Sequence, residues 1–294
     1  MIDRNVAAGV SEERAESVMK KTRHGYLMEN EEEAFRLEIK TDPRAVREQA
    51  AWCGVQPGMR VLDLGCGSGK TTSILHSIVG PKGFVLGVDA SEERLDFAKR
   101  HYGGRQGIEF IRGDLTRPLD IPGGFDIIWV RFILEYFKRE SPKIVSRLRP
   151  LVEPGGYLCL MDLDGICLNH YELPGTMETI LATLASRLDE DYNFDVYAGR
   201  KLYSYLYDGK YIDIEMNIVA HHLIYGEARR EDLFNWMKKI DVGVERLPCL
   251  FDGYPGGAAA FRDDFRTFFS DPRRFTYTPL IMARGMRSYE DRPE

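Results

Sequence analysis

The 294-residue chain predicts an α/β fold built on a mostly parallel sheet with helices on both faces. Three observations lead there. Short apolar runs alternate with helix-patterned segments between residues 58 and 162, which is how strands and their crossover helices read. A glycine-rich turn, GCGSG at 65–69, joins the first run to a helix, and an acid closes each of the next two runs.

Composition bounds the rest. With 44% hydrophobic residues the chain can bury a substantial core, and a formal charge of -6 offers no general attraction to a polyanion, so no nucleic-acid partner is expected. The N-terminus mixes charges without an apolar stretch, and no run approaches the ~20 apolar residues that span a bilayer. A cytoplasmic protein without a membrane span is expected, as a monomer or homodimer. Five scattered cysteines without a CxxC pair read as free thiols, and no metal site is expected.

The elements follow in order. Residues 11–40 are helix-like and heavily charged, and residues 1–55 together are expected to form a helical cap. Within it, Asp42 followed by Pro43 reads as an N-cap and first helical residue, leading to the Pro57-Gly58 turn. The core, residues 56–165, holds candidate strands MRVLDLG (59–65), FVLGVD (84–89), IEFIRGD (108–114), FDIIWVR (125–131) and YLCLMDL (157–163). Ile74, Leu75 and Ile78 share one helix face; Leu95 and Ala98 share another, in a helix capped by Ser91 with Glu92 and Glu93 in its first turn. Helices are expected at 173–189, 199–209 and 228–239. YIDIEMNIVAHH (211–222) alternates with period two, which predicts a strand that buries Ile212, Ile214, Met216 and Ile218 on one side and sets His221 and His222 on opposite faces. FTYTPLIMARGMR (275–287) is the last strand, and Pro279 marks a bulge or an edge. No repeat or linker divides the chain, so a single domain is expected, with insertions at 166–200 and 225–272.

A glycine loop between strand and helix lets a ligand approach main-chain amides. Two nucleotide-binding patterns fail on spacing. Lys70 stands where the dinucleotide fingerprint needs its last glycine, and only three residues separate Gly65 from Gly69 where a P-loop needs four. The ligand therefore need not carry phosphate. Asp89 lies 20 residues beyond Gly69 at a strand end, suited to the two hydroxyls of an unphosphorylated ribose. Asp114 ends the next strand, where an acid meets the exocyclic amine of adenine.

VLDLGCGSG, GVD with Asp89, GDLTRPL with Asp114, FDIIWVRFILEYF and LRPLVEPGGYLCLMD together resemble the successive motifs of class I S-adenosylmethionine-dependent methyltransferases, small-molecule members in particular, over residues 58–163. The resemblance implies a Rossmann-like, mostly parallel seven-stranded sheet with helical insertions forming a lid. It implies S-adenosylmethionine as cofactor and S-adenosylhomocysteine as product. Residue by residue, it implies that Gly65, Cys66, Gly67 and Gly69 lie against the methionine part, with Asp63 orienting the loop. Asp89 would hold the ribose, Ala90 flank adenine, and Asp114 with Leu115 meet its edge. Arg131 and Phe132 would stand beside the methionine amino group. Tyr26 resembles an aromatic residue that closes over the cofactor, and Arg36 is placed to meet its carboxylate.

The sulfonium makes the methyl electrophilic, so the protein chiefly has to align an acceptor. MDLDGICLNHYELPG, after the fifth strand, is expected over the reacting methyl, with Asp164, His170 and Tyr171 as candidate catalytic residues and Asp162 as a further acceptor contact. Phe261, Phe265 and Phe268, at helical spacing, read as core. The other aromatics of the two insertions suit an apolar or planar small-molecule acceptor. Protein or RNA methylation, a cofactor-binding module without turnover, and an NAD-dependent oxidoreductase are the competing readings.

Overall fold

The computed structural model describes residues 33–291. Seven strands form one sheet in the order β3-β2-β1-β4-β5-β7-β6. They are β1 (Arg60–Leu64), β2 (Phe84–Asp89), β3 (Ile108–Arg112), β4 (Phe125–Arg131), β5 (Val152–Leu163), β6 (Ile212–Tyr225) and β7 (Phe275–Met286). The first five run parallel, and β7 lies antiparallel between β5 and β6. The chain order reverses between β1 and β4, so the carboxyl ends of those strands open a crevice, the place where open α/β sheets bind ligands.

Alternation along the parallel strands feeds two apolar layers. Leu62, Leu64, Ile128, Val130, Leu158 and Leu160 pack with Ile144, Val145 and Leu148 of α5 (Ser141–Leu148). Val61, Ile127, Trp129, Cys159 and Met161 pack with α2 (Pro43–Cys53) and α3 (Lys70–Val79) on the other face. Local signals place the helix ends. Asp42 caps α2 by accepting from the Arg44 amide at 2.8 Å, and Gly54 ends it in the left-handed region at φ 83°. Ser91 caps α4 (Glu92–Tyr102) in the same way, accepting from the Arg94 amide.

β6 departs from its period-two pattern. Pairing shifts between Ile212 and Glu215, where Asp213 has φ 49°, and again between Ala220 and His222, opposite Pro279. Each bulge flips the phase of the strand. Val219 therefore packs on the core layer, while Met216 and Ile218 are exposed. The burial expected for Ile212, Met216 and Ile218 is thus corrected, because β6 is an edge strand with two extra residues. The second bulge also brings His221 and His222 together, ring centroids 4.3 Å apart, instead of onto opposite faces.

Above the carboxyl ends lies a second apolar cluster. It joins α6 (Gly175–Asp191), α8 (Arg230–Arg246) and α9 (Gly257–Ser270) through Leu181, Leu184, Trp236, Ile240, Phe251, Phe261, Phe265 and Phe269. Phe269, rather than Phe268, completes the fully buried stripe, and Phe268 is partly buried. A short helix α7 (Leu202–Asp208) packs on the sheet instead, through Leu202 and Leu206. Helix α1 (Glu33–Lys40) crosses from the glycine loop toward α8.

Candidate active site

The glycine loop is built for close approach but spends its own amides. Gly65, Gly67 and Gly69 all have positive φ (69°, 54° and 83°), a region where a side chain is strained. The Gly65 and Cys66 amides donate to the Val88 carbonyl, the Gly67 amide to Asp89 Oδ2 at 2.9 Å, and the Gly69 amide to the Cys66 carbonyl. A phosphate cradle needs such amides pointing outward. With these four already paired inward, the loop suits a ligand that brings no phosphate.

Around the loop lies a cavity of about 1150 Å³, beyond the upper end of ordinary ligand pockets (~300–1,000 Å³) and large enough for a cofactor and a second molecule. Asp63, Gly65, Cys66, Gly67, Asp89, Ala90, Asp114, Leu115, Arg131 and Phe132 line it. Gly69 does not; it caps α3. Asp63 is buried and accepts from Thr72 Oγ1 at 2.6 Å, and burial pushes its carboxyl up to about 7. Asp89 is nearly inaccessible. Its Oδ1 accepts from the Ser91 amide and from Arg94 Nε and Nη2, which leaves Oδ2 with the Gly67 amide alone among the described bonds. Asp114 is half-exposed and bonded to the Thr116 amide and hydroxyl. Arg131 is partly buried at the cavity wall, desolvation lowers its guanidinium to about 10, and it lies 4.1 Å from the ring centroid of Phe132, itself at φ 59°.

Arg36 is buried but does not line the cavity, and Tyr26 lies outside the described residues. Glu38 fastens α1 over the loop instead, accepting from Ser68 Oγ and from the Tyr102 hydroxyl at 2.7 Å, while its carbonyl takes Lys70 Nζ.

The residues expected over the methyl are elsewhere. Asp164 is fully engaged by Arg200, whose Nε, Nη2 and main-chain amide all donate to it. His170 is wedged among Trp236, Phe265 and Phe268, bonds Thr276 Oγ1 at 2.8 Å, and is driven down to about 4 by burial. Tyr171 is 60% exposed. None of the three lines the cavity, because the chain after β5 turns away at Gly165 to pair with β7 through His170 and Thr276. Asp162 is wholly buried and accepts from the Leu134 amide; burial raises its carboxyl far above the usual range.

Residues that the sequence reading did not assign to the site fill the space. Leu37, Lys40 and Thr41 at the end of α1, together with Tyr192, Asn193 and His221, line the cavity. Glu135 is buried beside it, and burial raises its carboxyl. Glu135 falls within a recognised motif, FILEYF, and His221 ends the period-two strand segment; the others come from distant segments with no pattern of their own. Among the described residues, no group of three or more His, Cys, Asp or Glu is placed to hold a metal.

Together these features define a crevice at the switch point of an open α/β sheet, with a glycine loop and two strand-end acids and without a phosphate cradle. The sequence profile described as "Methyltransferase domain" matches residues 55–210, more than half of the chain, and the chain belongs to that family, the class I S-adenosylmethionine-dependent methyltransferases. Two curated relatives are the 2-phytyl-1,4-naphtoquinone methyltransferase of Synechococcus elongatus and the demethylmenaquinone methyltransferase of Lactococcus lactis. The first is 32% identical over 123 residues, covering 40% of this chain and 51% of that one. The second is 34% identical over 105 residues, covering 34% and 40%. The chain thus spans about half or less of the curated relatives it matches. Phosphoethanolamine N-methyltransferase 2 of Haemonchus contortus has the same fold, with a TM-score of 0.55 at 17% identity over 87% of this chain and 56% of that one.

Proposed function

We propose that this chain transfers the methyl group of S-adenosylmethionine to a small-molecule acceptor. One observation carries the reading: a glycine loop whose amides are bonded inward, set beside strand-end acids Asp89 and Asp114 in a cavity with room for two molecules. When bound, the cofactor supplies an electrophilic methyl on a sulfonium. The chain's own work is to bind, orient and exclude water. Asp89 Oδ2 and Asp114 are the acceptors for ribose and adenine, the loop packs against the methionine part, and α1, pinned by Glu38, covers it. Alignment rather than side-chain chemistry supplies most of the acceleration. The quinone substrates named for the two curated relatives favour a small acceptor over a macromolecule.

Calorimetric titration tests this. S-adenosylhomocysteine is expected to bind and NADH not to. Asp89→Ala is expected to weaken S-adenosylhomocysteine by more than about tenfold, the loss of charge-assisted hydrogen bonds worth ~1.5–3 kcal/mol. Near-normal affinity in that variant removes Asp89 from the ribose site, and no heat from the wild type removes the cofactor.

A further inference from the structure

The outer edge of the sheet, where β6 lies beside β7, carries an exposed apolar face without charge. Neither residues 216–225 (MNIVAHHLIY) nor residues 275–283 (FTYTPLIMA) contain an Asp, Glu, Lys or Arg. Soluble proteins commonly place such charges on an edge strand, because a bare apolar edge invites another chain. This edge has none along most of its length.

Alternation decides which residues the face shows. On β7, Thr276, Thr278, Leu280 and Met282 are buried, while Phe275 and Tyr277 of the other phase are exposed. The register sets Tyr225 opposite Phe275, Leu223 opposite Tyr277, Ile218 opposite Ile281 and Met216 opposite Ala283. Directly opposed residues share a face, so Met216, Ile218, Leu223, Tyr225, Phe275 and Tyr277 form one strip, each between 40% and 67% exposed. The bulge between Ala220 and His222 makes the strip continuous. Without that change of phase, His222 and Ile224 would take the places of Leu223 and Tyr225. On the same side of the sheet, α7 packs inward through Leu202 and Leu206 and leaves Tyr203 and Tyr207 exposed, their ring centroids 6.0 Å apart.

Size and chemistry select the occupant. The exposed area of the strip and the two α7 tyrosines comes to roughly 800 Å², above the ~300–600 Å² of a monomer's largest apolar patch and close to what each partner gives to a stable interface. A membrane surface is a poor match, since the basic residues that draw a protein to anionic lipid are missing from both stretches. Charges at the margins are paired within the chain, Glu215 with Arg284 and Glu172 with Arg273. A two-fold contact sets a surface against itself, so a charged patch meets its own like. An uncharged one meets no such repulsion. Apolar and tyrosine-rich at its centre, this face has the composition of a homodimer interface.

We propose that a second copy of this chain covers the face, giving a two-fold dimer through β6 and β7. The proposal goes beyond methyl transfer and stands apart from it, because no residue of the strip lines the cavity. His221, at the bulge within the strip, does line it, so the dimer contact backs one wall of the crevice.

Sedimentation velocity of the full chain tests this over about 0.5–50 μM, and wild type is expected to run as a dimer at the upper end. Ile218→Glu and Tyr225→Glu each set a charge against its symmetry mate, and each is expected to weaken dimerisation at least about tenfold. Both positions are about two-thirds exposed in the single chain, so the substitutions leave the core intact, and unchanged far-ultraviolet circular dichroism checks it. Ile218→Leu keeps the apolar area and is expected to remain dimeric.

A monomeric wild type at the highest concentration overturns the proposal, as does a dimer that survives both glutamate substitutions. Flotation of monomeric wild type with phosphatidylcholine–phosphatidylglycerol vesicles, lost in Tyr225→Glu, assigns the face to a lipid surface and overturns it too.

Discussion

His170 shows how a residue with catalytic chemistry becomes a packing residue. Its ring lies within 6 Å of Trp236, Phe265 and Phe268 centroids, and burial lowers it from 6.5 to about 4. Between those two values the unfolded chain binds more protons than the folded one, so this stability is present above pH 6.5 and is lost as pH falls toward 4. Wild type is therefore expected to lose stability faster than His170→Gln in that window, by up to about 1.4 kcal/mol per pH unit, read from urea melts at a series of pH values. Asp164 has a parallel history, its carboxylate consumed by Arg200. Both sit in a stretch where acid, histidine and tyrosine cluster, a pattern that marks catalytic and structural sites alike. Asp89 and Asp114 are more legible, because a strand-end acid at a set distance from a glycine loop is a local pattern, and both line the cavity.

At the scale of elements, β1–β5 and the caps of α2 and α4 are readable because each depends on neighbours within a few residues: an apolar run, an Asp-Pro pair, a Ser followed by two Glu. β6 is not. Its bulges are imposed by the partner strand, and a period-two reading cannot foresee where pairing slips. The join between β6, β7 and α9 rests on Arg274, which is 2% exposed. Its Nε donates to the Phe269 carbonyl, Nη1 to Ile224 and Nη2 to Gly226, tying α9 to the end of β6. Arg274→Met leaves these carbonyls unanswered, and a loss of about 3 kcal/mol is expected in denaturant unfolding.

Over the whole molecule, two apolar centres divide the labour. The sheet layers carry the residues of the crevice, and the aromatic cluster of α6, α8 and α9 forms a separate centre around Trp236 and Phe265. Phe265 is fully buried in that cluster, and Phe265→Ala is expected to cost about 3–5 kcal/mol. Hydrogen exchange is expected to show the loss first in α8 and α9, with β1 and β4 protected as in wild type. If β1 and β4 lose protection equally, helical cluster and sheet unfold as one unit. By itself the sequence determined the parallel sheet, the glycine turn and the two acids, because hydrophobic period and short-range spacing encode them. Tertiary structure alone decided what else lines the cavity. Lys40, Tyr192, Asn193 and His221 come from segments far apart in the chain, and only folding brings them to one crevice.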